Sequence, residues 1–109
     1  MSNQTMNPMT EAMYYVLLAL HSPLHGYAIM EAINGISNGR VQLGPGTLYG
    51  ILKRLQKNKF IQLENSDGWR KVYQITDKGR EAVKLEYIRL THMVRDGKIL
   101  LEKDGQNGQ

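Results

Sequence analysis

A short helix with two unlike faces is predicted by Pro45-Gly46-Thr47-Leu48-Tyr49-Gly50-Ile51-Leu52-Lys53-Arg54-Leu55. Four apolar side chains recur at the helical spacing i, i+3, i+4 and i+7 and form one stripe: Leu48, Ile51, Leu52 and Leu55. The opposite face carries an aromatic hydroxyl, a glycine and three cations: Tyr49, Gly50, Lys53, Arg54 and Lys57. One face therefore suits a hydrophobic core, and the other suits the major groove of DNA, where cations meet phosphates.

Positive charge is concentrated around this helix. Residues 1–39 hold two acidic residues and no lysine or arginine, whereas residues 40–71 hold seven basic and two acidic residues, a net charge of +5. Residues 72–109 hold seven basic and six acidic residues. Such a local surplus of positive charge is the electrostatic footprint expected for binding to a polyanion.

Length and composition limit the class of protein. With 109 residues, the chain is long enough for one domain with one core. The absence of cysteine excludes disulfides, cysteine-based zinc sites and thiol catalysis, and it agrees with a cytoplasmic location. No apolar run approaches the length of a membrane span, and the N-terminus lacks the pattern of a secretory signal. We therefore expect a soluble protein that is not exported and has no membrane partner.

The first third of the chain predicts two helices. In the first, Asn7 can act as the N-cap and Pro8 suits the first helical position, and the pattern ends near His21. Its core-facing residues are Met9, Met13, Val16, Leu17 and Leu20. The second helix runs from about Gly26 to the sequence Ser37-Asn38-Gly39, which ends it. Its predicted buried residues are Ile29, Met30, Ile33 and Ile36.

A β-hairpin is predicted after the third helix, which ends around Asn58. Residues 61–64 and 72–75 alternate apolar and polar side chains, as strands do. Asn65-Ser66-Asp67-Gly68 separates them, and Asp-Gly is a strong signal for a hairpin turn. This hairpin, which we call the wing, projects Trp69, Arg70 and Lys71. A further short strand is predicted at residues 41–43.

The last third of the chain predicts one long helix that opens at Thr76 or Asp77, where a side-chain oxygen can cap the first amides. Heptad-like spacing, typical of a helix that packs against another helix, relates Val83, Tyr87, Leu90, Val94, Gly97 and Leu101. Glycine disfavours a helix interior, so Gly97 marks a kink, a helix end or a point of close packing.

The order of these elements predicts a mainly α (α+β) protein: a winged helix-turn-helix domain with a two-stranded β-wing and a long C-terminal dimerisation helix. The expected divisions are a mobile N-terminal tail at residues 1–7, the winged-helix domain at 8–76, the dimerisation helix at 77–103 and a disordered tail at 104–109.

Three segments resemble the signature segments of PadR-type transcriptional regulators: His25-Gly26-Tyr27, the stretch from Gly46 to Leu55, and Arg70-Lys71-Val72-Tyr73-Gln74-Ile75-Thr76. The resemblance covers roughly Thr10 to Leu101 and is closest to the smaller members of that family, with a single C-terminal helix. It implies a homodimeric repressor that binds a palindromic operator, often near its own gene, and that a small molecule releases.

The candidate DNA-binding residues lie in and around the third helix. We expect short or polar side chains near its N-terminus to meet base edges or the adjacent phosphates, namely Thr47, Tyr49 and Gly50. Cations expected to meet phosphates are Lys53, Arg54, Lys57 and Arg40. Arg70 and Lys71 at the root of the wing can straddle the DNA backbone or reach a narrow minor groove.

A symmetric dimer is predicted because the first and last helices carry more apolar residues than so small a domain can bury. Its expected contacts are Met9, Met13, Val83, Tyr87, Leu90, Val94 and Leu101. The alternative is that the last helix folds back on its own domain. Flexible methionines beside tyrosines make the same interface a candidate lining for a small apolar or aromatic inducer: Met13, Tyr15, Tyr87 and Met93.

Other functions have weaker support in the sequence. His21 and His25 have the i, i+4 spacing of a helical metal pair, but Ser22-Pro23 interrupts the helix, so neither a metal nor a cofactor is expected. The chain lacks the motifs of phosphate-loop, nucleophile-elbow and zinc-protease enzymes, and we predict no enzymatic activity. Trp69 can anchor the hairpin, touch DNA sugars or face a ligand. The alternative function is a winged-helix module whose basic face binds a protein or RNA.

Overall fold

The computed structural model describes residues 9–66 and 70–107, which form four helices and one small sheet. In chain order the elements are α1 (Glu11–Ala19), β1 (Leu24–His25), α2 (Gly26–Ile36), α3 (Pro45–Lys57), β2 (Ile61–Ser66), β3 (Lys71–Ile75) and α4 (Asp77–Asn107). This arrangement confirms the predicted winged helix-turn-helix fold with a long C-terminal helix. Within the described residues, no helix is both long enough and apolar enough to cross a membrane.

The first helix begins later than its sequence predicts. Thr10 has extended backbone angles, and its hydroxyl oxygen accepts a hydrogen bond from the Met13 amide at 3.1 Å, which makes Thr10 the N-cap. Glu11 follows in the first turn, where the helix dipole favours a carboxylate. The start predicted at Asn7 and Pro8 is therefore wrong, because Met9 and Thr10 precede the helix; Asn7 and Pro8 themselves lie outside the described residues.

The second and third helices form the helix-turn-helix pair, and their bounds confirm the prediction to within a residue or two. Residues 41–43 do not form the predicted strand. Instead, the Ser37 hydroxyl oxygen accepts a hydrogen bond from the Val41 amide at 2.9 Å, which fixes this connection as a compact turn with Val41 buried. Ile36, predicted to be buried, is 49% exposed because α2 ends there.

The sheet has three antiparallel strands in the order β1-β3-β2, one more than the predicted two-stranded wing. The additional strand β1 pairs Leu24 with Tyr73 and His25 with Val72. The register between β2 and β3 shifts between Leu63 and Asn65, which marks a bulge in the wing. The predicted turn falls partly on residues 67–69, including Trp69, which lie outside the described residues.

The last helix is joined tightly to the end of the wing. The Thr76 hydroxyl oxygen accepts a hydrogen bond from the Gly79 amide at 3.0 Å, and the same hydroxyl donates one to the Lys59 carbonyl oxygen at 2.8 Å. A Cβ at Gly79 would overlap the Phe60 carbonyl oxygen and lie 2.8 Å from Ile75 Cγ1, so only glycine permits this approach. The helix continues without a break through Gly97 to Asn107 instead of ending at Lys103. Ion pairing of Lys98 with Glu102 supports its last turns.

The core lies between α1, α2, α3 and the sheet, and α4 joins it only through its first turns. Its fully buried side chains come from all three N-terminal helices: Val16, Leu17, Leu20, Ile29, Ile33, Leu48, Leu52 and Leu55. The Ile75 amide donates to the Leu20 carbonyl and ties the sheet to the end of α1. Val83 is the last residue of α4 in this core. Beyond it, Glu86 and Leu90 are still partly buried, whereas most of the later residues of α4 are exposed.

Candidate nucleic-acid interface

The helix α3 presents the basic face that its sequence predicts. Gly44 is its extended N-cap and Pro45 occupies its first turn, where proline needs no amide partner. Leu48, Leu52 and Leu55 are buried, which turns the remaining residues outward. All six predicted DNA-contacting residues of this helix are exposed: Thr47, Tyr49, Gly50, Lys53, Arg54 and Lys57.

The cations of α3 are not neutralised by neighbouring acids. Ion pairs among the described residues involve other elements, and none includes Lys53, Arg54 or Lys57. These three side chains and Gly50 line a shallow concavity of about 560 Å³ along the helix. Since α3 itself contains no acidic residue, its outer face carries an uncompensated positive potential.

The root of the wing lies beside the first half of α3. Arg70 and Lys71 are exposed and border an open groove of about 510 Å³, whose opposite wall includes Tyr49. The remaining lining residues are His25, Gly26, Tyr27 and Tyr73. The fold therefore brings all three signature segments of the sequence to one groove, although they are far apart in the chain.

Tyr49 packs directly over the backbone at the start of α2. A Cβ at Gly26 would overlap the Tyr49 hydroxyl oxygen and lie 3.0 Å from Tyr49 Cζ. Beneath this ring, Tyr73 is buried, and burial together with the neighbouring Tyr49 raises the pKa of Tyr73 above its usual value. Sequence analysis identified Gly26 only as part of a motif, because the contact with Tyr49 exists only in the folded domain.

Arg40 is placed differently from the other predicted phosphate contacts. Its guanidinium donates a hydrogen bond to the Tyr15 hydroxyl at 2.7 Å and lies 3.7 Å from a Glu11 carboxylate oxygen. In the free protein these contacts attach Arg40 to α1, so a DNA phosphate would have to displace them. The predicted phosphate contact by Arg40 stays a prediction.

The residues predicted to form the dimer fall into two groups. Met13 and Val83 belong to the core of a single chain, where they are buried, and Met9 packs against that core. Leu90 is half-buried, whereas Tyr87, Val94 and Leu101 are 61%, 70% and 69% exposed. Further exposed apolar side chains on α4 are Met93, which is one of the predicted ligand-lining residues, and four that the sequence did not assign to an interface: Leu85, Ile88, Ile99 and Leu100.

The predicted ligand-lining residues lie on separate surfaces of a single chain. Met13 is in the core, and the Tyr15 hydroxyl is engaged by Arg40. Tyr87 is exposed on α4, and the Met93 sulfur accepts from Arg89 at 3.1 Å.

The contact between α1 and α4 is partly polar. Burial and the Glu86 carboxylate raise the pKa of Tyr14 above its ordinary value. Glu86 in turn accepts a hydrogen bond from Arg89 at 2.9 Å, and this bond raises the pKa of the guanidinium. Tyr14 therefore remains a neutral hydroxyl at physiological pH, close to the junction of the two helices.

The three histidines lie on different parts of the fold. His21 lies after α1, with its Nδ1 3.1 Å from the Leu18 carbonyl oxygen, whereas His25 is in β1 and His92 is exposed on α4. Within residues 9–66 and 70–107, no group of three or more histidine, aspartate or glutamate side chains is arranged to hold a metal ion.

Comparison with known proteins agrees with this architecture. The sequence model described as "Transcriptional regulator PadR-like family" matches residues 16–85. A 37.1 kDa protein of transposon TN4556 from Streptomyces fradiae is 42% identical over 77 residues, which are 70% of this chain and 22% of that protein. The chain spans between about a fifth and three fifths of the length of the curated relatives that it matches.

Two solved structures show the same fold. A PadR family transcriptional regulator from Eggerthella lenta is 27% identical, with a TM-score of 0.65 over 83% of this chain and 80% of that one. Bacillus subtilis PadR, solved in complex with operator DNA, is 26% identical, with a TM-score of 0.61 over 71% of this chain and 46% of that one.

Proposed function

Because this chain belongs to the PadR-like family of transcriptional regulators, we propose that it is a homodimeric, sequence-specific DNA-binding repressor. Its operator is palindromic, and a small apolar or aromatic molecule releases it. Membership of a family of regulators confirms the prediction that the chain is not an enzyme.

The observation that carries this proposal is the single basic surface shared by α3 and the root of the wing. Lys53, Arg54 and Lys57 have no ion-pair partner among the described residues, and Arg70 and Lys71 lie across one groove from Tyr49. A winged helix reads DNA with a helix in the major groove while its wing follows the backbone. The complex of Bacillus subtilis PadR with operator DNA supports the same use of this fold.

Dimerisation is supported by the apolar side chains that α4 leaves in solvent. Tyr87, Val94 and Leu101 follow the predicted seam and are all more than half exposed in one chain. Burying them against a second copy would gain about 1.5–3 kcal/mol for each large side chain fully covered, before the cost of association. Two-fold symmetry would then place two α3 helices on one side of the duplex, about 34 Å apart or a multiple of that distance.

Release by an inducer is supported by the chemistry of the same surface. Met93 and Tyr87 are exposed on α4, and a second chain would add apolar neighbours to both. Flexible methionine and planar tyrosine side chains can adapt to an apolar or aromatic molecule. A ligand that binds there shifts the protein away from DNA only if it prefers a dimer geometry that does not fit the operator.

The experiment is a fluorescence titration of the purified protein with DNA from upstream of its own gene, in competition with random duplex of equal length. We expect a preference of about a hundredfold or more for the upstream DNA. If three cations of each subunit meet phosphates, the logarithm of the affinity falls with the logarithm of salt concentration at a slope near −5.

A charge-reversing pair of variants makes the titration specific to this surface. Lys53→Glu should weaken binding to every duplex, because it places a negative charge in the proposed phosphate contact. Lys103→Glu, the same change near the far end of α4, is the matched control and should bind as the unmodified protein does. If both duplexes bind equally weakly and Lys53→Glu does not change that binding, the result favours the alternative function as a protein-binding or RNA-binding module. A partner pull-down would then follow.

A further inference from the structure

The groove at the root of the wing is built for an anion that accepts several hydrogen bonds. The residues that line it include two cations, Arg70 and Lys71, and two exposed tyrosines, Tyr27 and Tyr49. Among the described residues that line it, none is acidic. The groove is open to solvent, and three separate elements contribute to it: the β1–α2 junction, α3 and the start of β3.

The position of the groove indicates which part of DNA would reach it. With α3 in the major groove and the wing over the adjacent minor groove, the sugar–phosphate backbone that separates the two grooves passes between α3 and the wing. A base edge lies deeper, toward the outer face of α3, where Thr47 and Gly50 are exposed. The group that faces this opening is therefore a backbone phosphate.

Gly26 leaves the space that the Tyr49 hydroxyl occupies. Its backbone has no left-handed conformation that would itself require glycine, and alanine is accepted at the start of a helix. The three atoms nearest to a Cβ at this position all belong to the Tyr49 ring, and none belongs to the backbone. Among the described residues, the closest contacts of a side chain added at residue 26 would therefore be with Tyr49.

We propose that this groove seats one backbone phosphate of the bound DNA, that the Tyr49 hydroxyl donates a hydrogen bond to that phosphate, and that Gly26 is the positioning residue that gives the hydroxyl its place. The inference rests on the proposed DNA-binding function. It assigns Tyr49 to the backbone and leaves the reading of bases to other residues of α3. It also gives the glycine of the His25-Gly26-Tyr27 segment a role in binding.

The test measures binding of a fluorescein-labelled random-sequence duplex at several salt concentrations, and it is repeated with a second duplex of different base composition. Tyr49→Phe, which removes only the hydroxyl, should weaken binding about tenfold on both duplexes, as expected for the loss of a hydrogen bond to a charged group. The salt slope should not change, because no cation is removed. Arg70→Ala should instead flatten the slope by about two, because a dimer loses one such cation from each subunit.

Gly26→Ala distinguishes positioning from direct contact. The domain should fold, because the added methyl group meets only the end of one side chain, and the displaced hydroxyl should cost about the same tenfold in affinity. In the Tyr49→Phe background, Gly26→Ala should have no further effect, since the two changes remove one interaction. Gly35→Ala in the same helix, where a Cβ meets nothing within 4 Å, is the matched control and should leave binding unchanged.

The outcomes separate this inference from the function on which it rests. The inference is overturned if the unmodified protein binds DNA in a salt-dependent way but the losses of affinity from Gly26→Ala and Tyr49→Phe are additive. It is also overturned if neither variant loses affinity. In both cases the proposed function stands. An effect of Tyr49→Phe on only one duplex makes Tyr49 a base contact and also overturns the inference. If the unmodified protein shows no salt-dependent affinity for any duplex, the proposed function and this inference fall together.

Discussion

Large apolar side chains are buried in one half of this molecule and exposed in the other. In the domain formed by α1, α2, α3 and the sheet, leucines such as Leu17 and Leu52 are shielded from water by elements of the same chain. Beyond Val83, α4 carries Val94, Leu101 and other large apolar residues that no described part of the chain covers. The domain supplies its own core, whereas α4 leaves large apolar side chains exposed in a single chain. The comparison therefore separates the side chains that stabilise one chain from those that the proposed dimer would cover.

The largest expected difference comes from one truncation made in both halves. Leu52→Ala removes a side chain that is 1% exposed and should lower the free energy of unfolding by about 2–5 kcal/mol, since it leaves a cavity in the core. Leu101→Ala makes the same chemical change at a residue 69% exposed in one chain and should act mainly on association. Urea unfolding at two protein concentrations measures both, and only the effect of Leu101→Ala should depend on concentration. Equal, concentration-independent losses would contradict the comparison.

A charge placed on the seam tests α4 directly. Val94→Asp should convert the dimer to single chains at micromolar concentration, because association would then have to bury an unpaired carboxylate. His92→Asp, on the opposite side of the helix since two residues turn it by about 200°, is the control and should remain dimeric. Sedimentation equilibrium gives the masses. A mass of one chain for the unmodified protein would show that α4 has no partner copy.

The smallest expected effect concerns the junction between the two halves. Because the pKa of Tyr14 is raised in the folded protein, its contribution to stability is fully present below the unfolded pKa near 10 and is lost as pH rises through the higher folded value. The free energy of unfolding should therefore fall less steeply above pH 10 in Tyr14→Phe than in the unmodified protein. Tyr73 has its own raised pKa and should titrate in both proteins, so the difference between the two curves isolates Tyr14. Identical curves would mean that Tyr14 does not couple α1 to α4.

Sequence patterns predicted the elements whose spacing is local. Helical periodicity and capping chemistry predicted the apolar stripe of α3, its exposed cations and the long helix after Thr76. Both signals come from residues that lie within a few positions of one another in the sequence. The first cap was predicted at Asn7, whereas Thr10 is the cap. Thr10 also has a capping side chain before an apolar run, and the sequence pattern does not distinguish the two residues.

Features that depend on distant residues escaped sequence analysis. The strand β1 is two residues long and exists because Leu24 and His25 pair with β3, nearly fifty positions away. Its own sequence is too short to show alternation. Residues 41–43 do alternate apolar and polar side chains, but the Val41 amide donates its hydrogen bond to the Ser37 hydroxyl instead of to a neighbouring strand. The contact of Gly26 with Tyr49 likewise joins two helices, so a motif can mark the glycine without revealing what it accommodates.

Because α4 is held at the Thr76 junction, a small change of angle there moves the far end of the helix by a large distance. Thr76 and Gly79 join α4 to Lys59 and Phe60, which lie two and three residues after the end of α3. The direction of α4 is therefore set relative to the helix that we propose faces DNA. The 31 residues of α4 form an arm about 46 Å long. A tilt of about 5° at its base moves its tip by about 4 Å, roughly the rise of one base pair along the DNA axis. In a dimer formed through α4, the few residues of this junction would thus set the distance between the two domains along the double helix.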